Sequence, residues 1–174
     1  IDLKTHAGRD AVKRLAADSD VLLHNYRPGV MEKLGLGSET LRAANERLIY
    51  LGVSGFGTIG PMSDYPAYDM VIQGLTGITA QQGSDNKMEH INMLICDKIT
   101  AYTVAQATTA ALLARASTGK GQHIDISMLQ ANLAFMWPDG MMDKTIEDRD
   151  GIVDMSPISD YYQTLDVSDG SIAL

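Results

Sequence analysis

Three short stretches hold the side chains best suited to bind or transform a ligand. The first is Asn25-Tyr26-Arg27-Pro28-Gly29, which follows the apolar run Val21-Leu22-Leu23 and opens a helical pattern. In open α/β sheets, ligands sit outside the carboxyl ends of the strands, and a helix N-terminus there offers free N–H groups to a phosphate. Arg27 and Lys33 add positive charge within about two helical turns. A plain strand-to-helix turn with solvated charges uses the same residues. The second is Asp97, at the start of a long helical segment. The helix dipole favours negative charge there, so capping accounts for it. A carboxylate in that place can also act as a nucleophile that forms a covalent acyl intermediate. Its neighbour Cys96 reads as a buried, inert thiol. The third is Tyr68-Asp69, which either sets a phenol and a carboxylate beside a pocket or forms a helix N-cap region with a half-buried tyrosine.

The elements that must position these groups follow from periodicity. Ala11, Val12, Leu15 and Ala16 lie at helical spacing, which predicts an amphipathic helix over 7–17. Val21-Leu22-Leu23 reads as a strand. Pro28 suits the first turn of the next helix, with Val30, Met31 and Leu34 on its buried side and Gly35 as its stop. Ser38 is expected to cap a further helix carrying Leu41, Ala44 and Asn45. The run Leu48 to Val53 is apolar enough for a strand buried on both faces. Another helix is predicted over 68–75, and 79–92 reads as polar and irregular. Residues 97–117 form the strongest helix, about 31 Å long and buried. Thr118-Gly119-Lys120-Gly121 ends it, and 122–128 alternates as a half-buried strand does. A helix follows over 129–142 with a kink possible at Pro138, then a charged loop over 143–154. Strands alternating with helices predict an α/β fold, a Rossmann-like parallel sheet flanked by helices.

Composition narrows the function classes. The 174 residues are 45% apolar and 21% charged, as in ordinary globular proteins. Lysine and arginine number 14 against 22 acids, for a net charge of −8. Such a surface is ill suited to sequence-independent nucleic-acid binding, although a local basic pocket for a phosphorylated ligand remains compatible with it. Cys96 is the single cysteine, so no intrachain disulfide forms and a reducing, cytoplasmic setting is expected. The four histidines are scattered without zinc spacing, so no metal is expected, and His90 and His123 read as surface or strand residues. The ten methionines read as core packing. The least polar stretch, 99–116, carries four threonines, a glutamine and an arginine, which argues against a membrane span. The chain starts without a methionine and stops in Asp169-Gly170-Ser171-Ile172-Ala173-Leu174, a turn entering a strand. The expectation is an internal piece of a longer protein.

Taken in order, these segments resemble the family III CoA-transferases, a family that also holds carnitine CoA-transferase-like proteins, formyl-CoA transferases and α-methylacyl-CoA racemases. The matching text is Asp20 to Gly37, Asn45 to Tyr50, Ser54 to Pro61, Tyr68-Asp69, Asp97, and Thr118 to Met128. The resemblance implies that 1–174 is part of the family's large domain, lacking its N-terminal strand and its second domain. It implies acyl-CoA and a carboxylic acid as substrates and a homodimer as the assembly. In the family two chains form interlocked rings, which a piece of this length cannot close alone. Asp97 matches the catalytic aspartate. Asn25, Tyr26 and Arg27 match the loop against the CoA nucleotide. Lys33 sits where the family often has a basic residue near the phosphates, and Leu34 follows it. Tyr68 matches a position beside the thioester and Met128 a methionine near the CoA.

The implied activity is transfer of CoA to a carboxylic acid through an aspartyl mixed anhydride and an aspartyl-CoA thioester. The racemase branch instead moves an α-proton with a histidine and an aspartate, and its histidine precedes the residue that matches Asp69. Here that position is Tyr68, a much weaker base partner than imidazole. This departure favours a transferase. A catalytically silent CoA-binding or dimerisation fragment is the reading from another class.

Overall fold

Three parallel strands organise the molecule: β1 (Val21–His24), β2 (Ile49–Ser54) and β3 (His123–Ser127), in the order β1-β2-β3. The computed structural model describes residues 1–83, 87–141, 145–148, 150–153, 161–162 and 164–173. Val21 pairs with Ile49 and His24 with Gly52, while Tyr50 pairs with His123 and Ser54 with Ser127. All three strands therefore end at one edge of the sheet. Central β2 is buried over its first four residues, as its apolar run predicts.

Two cores pack about the sheet, and side-chain alternation turns Tyr50 of β2 toward the first. Tyr50 joins Ala16, Met31, Leu36, Leu41 and Leu48 on the face covered by α1 (His6–Ala17), α2 (Val30–Lys33) and α3 (Ser38–Ala44). The second core gathers Phe56, Ile72, Ile78 and Cys96. It lies among α4 (Asp69–Thr76), α5 (Ile78–Gln82), α6 (Ile95–Thr118) and α7 (Met128–Gly140). A hairpin of β4 (Thr164–Val167) and β5 (Gly170–Ala173) forms a separate two-stranded sheet, and Asp169 lies in its turn as expected. No helix among the described residues is long and apolar enough to cross a membrane.

Several local expectations are corrected. Pro28 is not in the first turn of α2: Gly29 follows it at φ 78°, and the helix starts at Val30. The end of α2 is as expected, with Gly35 at φ 67° and the Gly35 and Leu36 N–H groups bonding the Glu32 and Met31 carbonyls at 2.9 Å. Ser38 does not cap α3. Gly37 holds that place without a side-chain cap, and Ser38 is buried as the first helical residue. The stretch expected to be irregular over 79–92 begins inside α5, which is set off from α4 by Gly77 at φ 84°. The charged loop expected over 143–154 falls partly outside the described residues, and its described residues 145–148 are exposed.

The long helix is the main correction. α6 runs for 24 residues, but only Cys96, Ile99, Thr100, Ala111 and Arg115 are buried. Tyr102 and Leu113 are 74% and 73% exposed. Small residues all around a helix read as burial all around. Here α6 packs on β2, β3, α4 and α7, and its other side, with Tyr102 and Leu113, is exposed.

The amino edge of the sheet is closed by side chains bonding backbone. Arg115 near the end of α6 donates to the Arg47 carbonyl at 2.9 Å and to the Asp20 carboxylate at 2.7 Å. Asn45 donates to the Ala16 and Ser19 carbonyls at 3.0 and 2.9 Å, and Arg42 to the Gly121 carbonyl at 3.2 Å. Gly121 enters β3 so close to β2 that a Cβ would lie 2.1 Å from the Leu48 carbonyl oxygen.

Candidate active site

The carboxyl edge of the same sheet opens into a cavity of about 980 Å³. Its walls come from the end of β1 with residues 25–28, the end of β2, residues 65–70, the first turns of α6, and Met128 where β3 becomes α7. Asn25, Tyr26, Arg27, Tyr68, Asp97 and Met128, brought from four separate stretches of chain, all line it. Lys33 and Leu34 do not. Leu34 packs against the core beneath α2, and Lys33 is exposed on that helix. A smaller cavity of about 340 Å³ adjoins the first and shares His24, Tyr26 and Arg27 with it.

Asp97 sits in the first turn of α6, with its side chain open to the large cavity. Its N–H donates to Asp69 Oδ2 at 3.0 Å. Asp69 is the first residue of α4 and is 5% exposed. Its other oxygen accepts from Gln73 Nε2 at 2.6 Å. Gln73 also takes the Ile91 N–H at 2.9 Å and donates to the Ile91 and Met93 carbonyls at 3.2 Å. One buried carboxylate and one buried amide thus fix where α6 begins. From α7, Asn132 Nδ2 donates to the Cys96 and Met128 carbonyls at 3.2 and 2.8 Å.

This setting tunes the titratable groups. Partial burial and then the like charge of Asp69 push the Asp97 carboxyl above the ordinary aspartate value. A more basic carboxylate is a better nucleophile, provided the medium is not acidic enough to protonate it. Cys96 is fully buried and its thiol is pushed up to about 12, first by burial and then by Asp69 and Asp97. It stays protonated, as its inert reading requires. Tyr68 is the N-cap residue of α4 without a capping bond, and is 70% exposed where a half-buried ring was expected.

Sequence reasoning found Asp69 as a neighbour of Tyr68 but not its bond to the α6 backbone. It missed Gln73 and Asn132. The Asp69/Gln73 spacing of i,i+4 was the available signal, since such pairs meet on a helix surface. For Asn132 the signal was an amide within the apolar run from Leu129 to Trp137. Among the described residues no group of three or more His, Cys, Asp or Glu is placed to hold a metal ion.

A cavity outside the carboxyl ends of parallel strands, with a cationic loop on one wall and a perturbed carboxylate on another, is where open α/β sheets characteristically take their ligands. Comparison with known proteins narrows that class. The model of CoA-transferase family III matches residues 1–174. An acetyl-CoA:oxalate CoA-transferase of Acetobacter aceti is 39% identical over 138 residues, covering 78% of this chain and 36% of that enzyme. The human alpha-methylacyl-CoA racemase is 37% identical over 142 residues, covering 79% of this chain and 37% of the racemase. The crystal structure of a CAIB/BAIF family protein from Brucella suis superposes with a TM-score of 0.83 at 35% identity, over 98% of this chain and 46% of that one. The chain belongs to CoA-transferase family III. It spans less than half the length of each of these relatives.

Proposed function

We propose that this chain carries the nucleophile and a CoA-binding wall of an enzyme that moves CoA from an acyl-CoA thioester to a carboxylic acid. The observation that carries the reading is Asp97 itself: a carboxyl with a raised pKa, held by its own backbone against buried Asp69, facing the cavity that Asn25, Tyr26 and Arg27 also line. In this reading the loop takes the nucleotide end of CoA, with Lys33 and Leu34 on α2 behind it. Tyr68 stands beside the thioester and Met128 beside the thiol arm. The reading includes a cytoplasmic homodimer without nucleic-acid or membrane partners.

The steps balance without an added oxidant or net proton. An Asp97 carboxylate oxygen attacks the thioester carbonyl, the C–S bond breaks, and CoA leaves as thiolate from a mixed anhydride. The thiolate attacks the Asp97 carbonyl carbon, the donor carboxylate departs, and an aspartyl-CoA thioester remains. The acceptor carboxylate attacks that thioester and gives a second anhydride with release of thiolate. Attack of the thiolate on the acceptor's acyl carbon forms the new thioester and restores Asp97. Each attack needs the carboxylate held close to its target, which the Asp69–Gln73 arrangement supports.

The similarity to a racemase favours a second reading, α-epimerisation of an acyl-CoA with Asp97 as one proton carrier. Tyr68 in place of an imidazole argues against it. A chain that binds CoA without chemistry is the third reading. Mass spectrometry after incubation with acyl-CoAs and hydroxylamine separates them. A hydroxamate at Asp97, absent in Asp97→Ala while CoA affinity stays within about threefold, is the transferase result. Solvent deuterium entering the α-position without a hydroxamate, and lost in Tyr68→Phe, is the racemase result. CoA binding with neither signal leaves the silent fragment.

A further inference from the structure

His24 ends β1 and lines both cavities. Its Nδ1 accepts the backbone N–H of Tyr26 at 3.3 Å. An accepting Nδ1 belongs to a neutral imidazole with its proton on Nε2. The ring meets Tyr50 edge-on, with centroids 5.3 Å apart, and lies 6.2 Å from the Tyr26 ring. Across the sheet His24 pairs with Gly52, and Gly52 pairs with Asp125. A Cβ on Gly52 would lie 3.2 Å from both His24 Nε2 and Asp125 Oδ1. The missing side chain leaves the imidazole facing a carboxylate across the central strand. Asp125 also lies 3.3 Å from His123 Nε2, and Glu32 of α2 and Arg27 complete the charged wall of the small cavity.

We propose that His24 is a positioning residue: its neutral ring holds the Asn25-Tyr26-Arg27 loop in the conformation that lines the cavity, and protonation of that ring releases the loop. This deepens the reading of the loop as a CoA-binding element and rests on it. A proton on Nδ1 sets two donors face to face and removes the bond to Tyr26. The resulting cation is drawn to Asp125 and Glu32 and away from the loop backbone. Burial lowers the ring's pKa below 6.5, with Glu32 and Asp125 pulling it up and His123 pushing it down. The ring is therefore neutral at pH 7, and the anchor is lost only in acid. Because the unfolded chain takes up this proton more readily, folding stability also declines as pH drops through 6.5 toward the folded-state value.

The test compares wild type, His24→Asn and His24→Leu. Asparagine presents an acceptor to the N–H two residues on and does not titrate, whereas leucine presents none. CoA affinity of wild type should fall about threefold more than that of His24→Asn between about pH 7.5 and 4.5, and His24→Leu should bind weakly at both. Equal acid dependence in wild type and His24→Asn, or wild-type affinity in His24→Leu at neutral pH, overturns the assignment. If wild type binds no CoA at either pH, the CoA reading fails by itself. NMR then decides the positioning role: a Tyr26 amide that shifts with the His24 titration supports it, and one indifferent to it refutes it.

Discussion

The two edges of the parallel sheet are built on opposite terms. At the amino edge Arg115, Arg42 and Asn45 occupy backbone carbonyls, and Gly121 brings β3 against the Leu48 carbonyl with no room for one more carbon. At the carboxyl edge the strands stop at His24, Ser54 and Ser127 and leave a cavity of about 980 Å³ walled by loops. Burial and then the like charge of Asp69 raise the pKa of Asp97, and the loop backbone at Tyr26 bonds a titratable ring. One edge is closed by hydrogen bonds and close packing, and the other is left open. That division suits a fold in which a ligand must enter at one end without loosening the other.

The contrast predicts unequal costs. Gly121→Ala forces a Cβ into backbone that side-chain rotation cannot clear. It should cost about 3 kcal/mol. Thermal unfolding should show Tm falling by roughly 6–12 °C. An unchanged Tm would break the view of a rigid amino edge. Next, Arg115→Met removes the donor to the Asp20 and Arg47 carbonyls. Urea unfolding should show a loss of about 2 kcal/mol. Asp20→Asn should cost under about 1 kcal/mol, because the Asp20 side chain is 76% exposed. Equal losses in the two variants would show that the ion pair matters more than the carbonyl bonds.

At the other edge the sign reverses. The folded state holds the Asp97 carboxyl above its ordinary value, so ionising it costs stability, and that cost is complete only above the folded-state pKa. Asp97→Asn should therefore raise Tm at neutral pH by at most about 2 °C, with the gain vanishing as pH falls through that pKa. A variant less stable than wild type at neutral pH would mean that the charge at Asp97 stabilises α6 as a cap. In that case the carboxyl edge would share the character of the amino edge.

Much of this arrangement was legible in the chain. The apolar runs at Val21 and Leu48 and the alternation at Gln122 place all three strands, and the ordered motifs bring six of the eight anticipated residues to one cavity. What was not legible depends on contacts remote in sequence. Periodicity gave Leu34 a buried side, but which wall Lys33 faces depends on how α2 docks. Composition suggested burial all around α6, yet helices pack on one side of it only. Gly121 looked like a helix stop, and its approach to Leu48 exists only once β3 lies beside β2. Capping preferences failed at Pro28 and Ser38 because each helix begins one residue or two from its expected start, after left-handed Gly29 in one case and extended Gly37 in the other. Asp69 was read with its sequence neighbour, while its partner proved to be the backbone of Asp97.

α6 reaches both edges, with Asp97 near its start and Arg115 near its end. Eighteen residues separate them, or about 27 Å of stiff rod. Leverage follows from that length. A tilt of about two degrees at the Arg115 end swings the Asp97 end by roughly 1 Å, an error that can cost on the order of a hundredfold in rate. If Asp97 is the nucleophile proposed above, its aim is set partly from the far side of the sheet. Variants there that spare overall folding deserve to be assayed for turnover as well as for melting.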